Sequence, residues 1–508
     1  MATDVAMGFP LEHGLQSTLI AMRLCERLGA TAETTSATFY TSLLAHSGCT
    51  TDALVAAEIF GAPLATHLTP VMFGSPRDQL RGLLRALPPP ETGAPARTLQ
   101  IARRLPRAMR THKPHLAAMC DVAQTLSDQL GLPVSIQRLF RDLTERWDGH
   151  GVLRRADHDE IPLPVRITHV AIDANLHRML GGEEYAVQAM RGRAGHAFDP
   201  EVVACLADEP EMLAVDVEAS AWELTLACEP DPPRLLDDDA VDRALVALAG
   251  FTDLLSPDFA GHSTGVADLA ARAAAGCGLL PADVRAVRRG ALVHDLGRVA
   301  IGAAVWNKPG HLTIDEWEQV RLHPYHTERL LTRSPLLASL VPAAGAHHER
   351  LDGSGYHRGS SRAELTLSAR LLAAADAFHA MTEPRPHRAA VGRDDAADRL
   401  AQDATDGRLD PDAVGAVIEA AGQPAPHLAR PGGLTDREAE VLRLLAQGRQ
   451  TKQIGQTLGI SAKTADRHIQ NIYGKIGVST RPAATLFAID RGLLAWGELP
   501  MGGAGRRP

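Results

Sequence analysis

The chain lacks any uninterrupted apolar run of about 18 residues, which excludes a membrane-spanning helix on sequence grounds. Its start has neither a basic cluster nor a signal-like apolar stretch, so we expect a cytoplasmic protein that needs a partner for membrane attachment. Cysteine is sparse: Cys25, Cys49, Cys120, Cys205, Cys228 and Cys277 stand singly in apolar surroundings, with no C-x-x-C pair. That spacing offers neither a zinc ribbon nor a dithiol motif, and the thiols read as reduced core residues. Aromatic residues make up only 4%. Lysine is rare beside arginine, which reflects G+C-rich coding and carries no mechanism. The net charge of −9 excludes a chain that is basic throughout, yet Arg430 to Leu494 holds 10 Lys/Arg against 5 Asp/Glu. At 508 residues the chain exceeds one core and predicts two to four domains.

Three Pro-rich breaks divide it: "LPPPETGAPA" (87–96), "CEPDPPRLLDDDA" (228–240) and "GQPAPHLARPGG" (422–433). Between them, segments such as "LQSTLIAMRLCERLG", "GVADLAARAAAGCG" and "ADVRAVRRGALVHDLG" place apolar residues at helical spacing. Strand-like runs are few and short. The expected fold class is all-α.

The first half repeats the middle in worn form. "ERWDGHG" (145–151) echoes "ERLDGSG" (349–355), "LPVRITHVAID" (163–173) echoes "LSARLLAAAD" (367–376), and "AFDPEVV" (197–203) echoes "RLDPDAV" (408–414). "LLAHSGC" (43–49) stands where "LVHDLGR" (292–298) would, and His13 where His262 would. A shared order of this kind indicates internal duplication. The chemistry is not repeated: Ala45 and His46 stand for His294 and Asp295, Leu143 and Thr144 for His347 and His348, and Ile172 for Asp376, with Asp173 one position off. The first copy therefore reads as a scaffold or sensory half, with a different ligand pocket as the alternative.

Metal-friendly side chains recur in the second copy: His262, His294, Asp295, His323, His347, His348 and Asp376. Imidazoles with a few carboxylates suit Fe, Zn, Mn or Ni, and a shared carboxylate can bridge two ions. His262 follows Gly261 at an expected helix start. His294 and Asp295 end a helix before a stop at Gly297. His323 opens "HPYHTERLL", His347 and His348 end the helix "LASLVPAAGAHHER", and Asp376 lies within "LLAAADAFHAM". Any one of these histidines alone would more often be a cap or a surface residue. The ordered set points to metal.

In "GHSTGVADLA", "LVHDLGRVAI", "NKPGHLT", "HPYHTERLL", "HHERLDGSGY" and "ADAFHAMTEPRPHR" the stretch from about 250 to 422 resembles the HD-GYP family, HD-domain phosphohydrolases that cleave cyclic di-GMP. The resemblance implies those seven residues as ligands of two divalent ions, Fe or Mn first, with Asp295 bridging. It also implies Asp258 as a ligand of a third ion. Paired cations make a hydroxide available near neutral pH for in-line attack on phosphorus. Arg298, Arg385 and Arg388 are the implied phosphate contacts, Arg298 with a catalytic role beside Asp295, because a guanidinium binds phosphate in a fork. Tyr356 is the implied aromatic of the GYP loop. Two departures stand out: His357 replaces the loop proline, which removes a fixed φ, and Arg298 replaces the usual lysine. Both bear on cyclic di-GMP specificity more than on metal binding.

Near the C-terminus, Thr435 and Glu438 form a T-x-x-E capping box, Gly448 stops the helix that follows, and "TKQIGQTLG" and "SAKTADRHIQNIYGKIG" are two helices joined near Gly459, with Ser461 as N-cap. The second helix presents Lys463, Thr464, Arg467, His468, Asn471 and Lys475, while Ala465, Ile469 and Ile472 face inward. This segment resembles the LuxR-type DNA-binding domain, which implies a four-helix module that dimerises on DNA, with the last helix (482–494) as a dimer face.

The expected organisation is a degenerate HD-GYP-like domain (1–228), a linker (229–240), an HD-GYP-like phosphohydrolase domain (241–422), a linker (423–432), a LuxR-type helix-turn-helix domain (433–496) and a flexible tail (497–508). The expected function is a transcription regulator that hydrolyses cyclic di-GMP and couples this to DNA binding as a homodimer. The alternatives are a sensor that binds a cyclic dinucleotide or other nucleotide without turnover, and a phosphohydrolase acting on another nucleotide.

Overall fold

N-cap hydroxyls, apolar faces and left-handed glycines set the architecture of this computed structural model, in which every regular element among the described residues is helical. The structure describes all residues except 1–2, 5–8, 10–11, 49–58, 61–70, 72, 88–92, 215–219, 425–430, 492 and 495–508. Cys49, parts of the first and third Pro-rich breaks and the 497–508 tail fall outside the described residues. Isolated bridges, such as that closing the Arg385–Arg388 turn, are the nearest approach to β-structure among the rest. The chain forms two compact units: Met1–Ala260 with Arg298–Lys308, and Gly261–Gly297 with Pro309–Pro508.

The duplication is visible in the way each unit packs. In the first, helix His13–Arg27 packs on Ala32–Leu44, Leu163–Gly181 and Pro200–Asp208. In the second, His262–Gly276 packs on Pro281–Leu292, Leu367–Thr382 and Pro411–Ala420. The ion pairs repeat as well. Asp199 caps the Pro200 helix and holds Arg166 at 2.6 Å, and Asp410 caps the Pro411 helix and holds Arg370 at 3.0 Å. Leu24, Ile167, Met190, Phe198 and Leu206 centre the first core. Full burial of such side chains contributes about 1.5–3 kcal/mol each.

Several expectations are corrected. The acidic run before residue 240 is no mere linker: Asp237 caps helix Asp238–Asp253, and Asp238 and Asp239 lie in its first turn, where carboxylates complement the helix dipole. The 281 helix ends at Leu292, and Gly297 has no left-handed conformation. Its role is close approach, since a Cβ there would lie 2.0 Å from the His323 carbonyl oxygen. The segment before His347 forms two short helices, Pro335–Ala338 and Val341–Ala344, instead of one. Cys25 and Cys120 are buried, but Cys205 is half-buried, and Cys228 and Cys277 are exposed at helix C-caps.

The C-terminal module is helices Asp436–Ala446, Thr451–Thr457, Ala462–Ile476 and Arg481–Asp490 around Val441, Leu442, Ile454, Ala465, Ile472 and Ala488. The Thr435–Glu438 capping box is present, and Gly448 (φ 85) and Gly459 (φ 67) take left-handed turns. Ser461 caps the second helix of the pair through the Thr464 N–H.

Candidate metal centre

Each inward donor comes from a rigid position in the second unit. His262 is the first residue of its helix after left-handed Gly261, His323 opens helix His323–Leu331, and Asp376 lies inside Leu367–Thr382. His294 and Asp295 sit on the turn after the Pro281–Leu292 helix. The Thr327 hydroxyl donates to the His294 carbonyl (2.9 Å) and accepts from Gly297 N–H (2.9 Å), tying that turn to the His323 helix.

Asp295 organises the centre. Its Oδ2 lies 3.4 Å from His262 Nε2 and 3.0 Å from His294 Nε2, and its Oδ1 lies 3.3 Å from His323 Nε2 and 3.5 Å from His347 Nε2. One carboxylate therefore spans two sets of donors. His262, His294 and Asp376 converge as one possible ligand group, and His323, His347 and His348 as another. Asp376 Oδ1 completes the first at 3.3 Å from His262 Nε2, and its Oδ2 lies 3.8 Å from His348.

The donor set fits divalent ions. Nδ1 of His294, His323 and His347 lies 2.6, 2.6 and 2.7 Å from the carbonyl oxygen three residues earlier. A carbonyl only accepts, so each Nδ1 carries a proton and each Nε2 turns inward, where a bound ion would take the place of any second proton. His323 Nε2 and His347 Nε2 stand 3.1 Å apart. Two neutral rings so placed oppose their lone pairs, and a shared cation relieves that repulsion. Glu383 accepts from His262 Nδ1 at 2.8 Å, the carboxylate–histidine relay that orients metal-binding imidazoles.

The electrostatics follow from burial and pairing. Burial alone would lower His294, but the carboxylates of Asp295 and Asp376 outweigh it and raise the ring to about 9. Burial pushes His347 down and, with His347 beside it, pushes His348 well down. Burial opposes ionisation of Asp376 and Glu383, yet their histidine partners prevail, holding Asp376 well below the carboxylate range and Glu383 at about 2.

The remaining expected residues take different places. Tyr356 stacks on His348, with ring centroids 4.7 Å apart. Its loop is held by Glu349, which accepts the N–H groups of Arg358 and Ser360 at 2.8 Å each. His357, at the position of the loop proline, lies 3.6 Å from Glu328. Arg385 pairs with Glu383 at 2.9 Å. Arg388 donates to the carbonyls of Ala380, Met381 and Glu383 at the end of the Asp376 helix. In the first unit, Arg298 stacks on Phe259 (4.4 Å) near Trp306 (5.4 Å), and half-buried Asp258 lies in the turn Pro257–Phe259. Sequence reasoning missed His379 and Glu383, although their i, i+4 spacing at the end of the Asp376 helix was the available signal.

The vestigial copy keeps only a trace of this geometry. His13 and His46 meet with ring centroids 5.5 Å apart, His46 standing at the position that Asp295 takes in the second unit. Phe9 stacks on His13, and Asp173 pairs with Arg193. No group of three metal-ligating side chains forms there among the described residues.

On the Ala462–Ile476 helix, Lys463, Arg467 and Asn471 are exposed at four-residue intervals, while Ala465, Ile469 and Ile472 are buried. Thr464 and His468 are half-buried, and the Thr464 hydroxyl meets Ser461. Lys475 is drawn inward to Glu438 (2.6 Å) and to the Gly433 carbonyl (3.1 Å), so it braces the capping box.

Residues 251–413 match the HD domain family, and residues 433–488 match the bacterial regulatory proteins of the luxR family. The chain is 30% identical over 406 residues to 3′3′-cGAMP-specific phosphodiesterase 3 of Vibrio cholerae serotype O1, covering 78% of this chain and 87% of that protein. It is 35% identical over 140 residues to a cyclic di-GMP phosphodiesterase of Pseudomonas aeruginosa, covering 27% of this chain and 33% of that one. The crystal structure of a cyclic GMP-AMP-specific phosphodiesterase from V. cholerae is similar at TM-score 0.55 and 26% identity, covering 83% of this chain and 95% of that one. These likenesses define an HD-domain, metal-dependent phosphohydrolase fused to a LuxR-type regulatory domain. Within that class the chain belongs to the HD-GYP family. Among the described residues no helix is long and apolar enough to cross a membrane.

Proposed function

We propose that the 241–422 domain hydrolyses a phosphodiester bond of a cyclic dinucleotide and that its ligand state adjusts DNA binding by the 433–496 domain. The observation that carries this reading is Asp295, whose two oxygens face separate histidine sets. Bound divalent ions would supply Lewis-acid charge at phosphorus and lower the pKa of a coordinated water. In this reading His262, His294, Asp295 and Asp376 hold one ion, and His323, His347, His348 and Asp295 hold the other, with Asp258 reserved for a third. Glu383 orients His262, and Glu349 keeps Tyr356 against His348. Arg298, Arg385 and Arg388 are the proposed phosphate contacts, for which Arg385 and Arg388 would exchange their present partners. Lys463, Thr464, Arg467, His468 and Asn471 are the proposed DNA contacts, with Lys475 bracing their helix.

Cyclic di-GMP is the first substrate to test. The likeness over most of its length to a protein named for 3′3′-cGAMP favours that molecule as a second. Purified protein loaded with Mn or Fe is incubated with each, beside an Asp295→Ala control. The expected outcome is linear dinucleotide or mononucleotide from the wild type and a loss of at least about a thousandfold, ~4 kcal/mol, in the variant. Absence of turnover with both substrates under both metals sinks the enzyme reading. Tight binding without turnover would instead make the domain a ligand sensor.

A further inference from the structure

Exposed tryptophan is rare, because a large apolar face left in water forfeits burial free energy. Among the described tryptophans only Trp317 is exposed, at 45%. It projects from helix Ile314–Arg321, which leads directly into His323. Its ring meets Tyr356 edge-on, 6.4 Å between centroids. Tyr356 stacks on His348, a donor of the metal centre, at 4.7 Å. The guanidinium of Arg321, one turn beyond Trp317, lies 5.6 Å from the Tyr356 ring. The exposed indole, the tyrosine and the cation thus continue outward from the metal centre as one wall.

We propose that Trp317 and Arg321 form the nucleobase subsite of this centre, taking a purine ring of the cyclic dinucleotide against the indole with the guanidinium beside its phosphate. The inference rests on the phosphodiesterase reading and adds to it which part of the substrate is recognised away from the metals. A base stacks on any aromatic face, and arginine adds cation–π and phosphate attraction. The His348–Tyr356 stack fixes one side of the subsite, so a base set on Trp317 stays joined to a phosphate within reach of the histidines. Glu318, 3.3 Å from Arg321, orients the guanidinium along the same helix.

The test uses full-length, metal-loaded protein with three variants: Trp317→Ala, Trp317→Phe and Arg321→Gln. Cyclic di-GMP, 3′3′-cGAMP and bis(4-nitrophenyl) phosphate, a diester without a purine, serve as probes. Trp317→Ala is expected to raise KM for the cyclic dinucleotide about tenfold to a hundredfold, with a much smaller change in kcat. Its loss on the purine-free diester should be several-fold smaller, and Trp317→Phe, which keeps a π face, should recover most of the affinity. Arg321→Gln should raise KM several-fold with the same preference for the purine substrate. Equal losses on both substrate types, or equal losses for Ala and Phe, overturn the inference while leaving the metal chemistry standing. A wild type that turns over the simple diester but neither binds nor cleaves a cyclic dinucleotide overturns both the inference and the substrate reading. A wild type inactive on all probes, yet bound by a cyclic dinucleotide, still supports the subsite if Trp317→Ala weakens that binding at least tenfold, and overturns it otherwise.

Discussion

A histidine in this chain is defined by what its Nδ1 touches. In the second unit Nδ1 meets a carbonyl or a carboxylate and the other nitrogen turns inward, as at His262, His294, His323 and His347. In the first unit His169 shows the opposite use. It is buried with Nε2 2.9 Å from the Leu143 carbonyl, and burial lowers it to about 4 from the usual 6.5. A base held neutral by the fold contributes stability above pH 6.5. That stability is lost as pH falls toward about 4, because the unfolded chain takes up the proton first. At ~1.4 kcal/mol per pKa unit, this one group withdraws on the order of 3 kcal/mol across that window. Thermal unfolding of His169→Gln should therefore depend less on pH between 6.5 and 4 than the wild type does. Unchanged pH dependence would show that the fold leaves the titration of this ring where the unfolded chain has it. His13, lowered to about 3 by burial and by His46, should preserve part of the slope.

At the scale of elements, the metal centre depends on how closely two segments approach. A Cβ on Gly297 would lie 2.0 Å from the His323 carbonyl and 2.4 Å from the Thr327 nitrogen, both backbone atoms. Gly297→Ala should cost about 1–3 kcal/mol as overpacking and lower bound metal, read by calorimetry and elemental analysis. Gly276→Ala, where a Cβ meets nothing within 4 Å, should be neutral or slightly stabilising; equal damage from both would reject the close-approach account. The Ala462–Ile476 helix, proposed above to face DNA, divides in a similar way. Lys463→Ala should weaken binding to all duplexes and reduce the salt slope by about one. Arg467→Ala should cost ~1–3 kcal/mol of discrimination at the operator, if it reads a base. Lys475→Ala should lower the melting temperature of the module more than its DNA affinity, since that ammonium is spent on Glu438.

At the scale of the whole molecule, the candidate metal centre and the C-terminal module are joined within the second unit through helices that share ion pairs. Asp376 lies on the helix that carries Arg370, Arg370 pairs with Asp410, and the helix capped by Asp410 carries Asp412, which pairs with Arg443 of the C-terminal module. A buried pair such as Arg370–Asp410 costs about 3–5 kcal/mol to break on one side, so this route is stiff. If ligand state reaches DNA along it, a saturating cyclic dinucleotide should change the DNA affinity of the wild type by about 5- to 150-fold and that of Arg443→Ala much less. Titration by fluorescence anisotropy with and without ligand decides this. No change in the wild type would mean the two activities merely share a chain.

The sequence by itself determined the helical class, the duplication and the C-terminal module. Each follows from local pattern: apolar spacing, hydroxyl caps at Thr435 and Ser461, glycines at turns, and repeated short motifs in the same order. The identity of the inward donors was legible too, since imidazoles and carboxylates recur at intervals suited to separate elements. Only the tertiary structure decided which oxygen of Asp295 faces which histidines, that Glu383 and His379 stand behind His262, and that Trp317 adjoins Tyr356. It also turned Gly297 from a helix stop into a close contact, and it took Lys475 and Arg388 up for internal carboxylate and carbonyl partners. The reason is physical. Caps and periodicity act over one or two turns of a chain, whereas a partner for a long cation or a clash at a Cβ is set by residues far away in sequence, which only packing brings together.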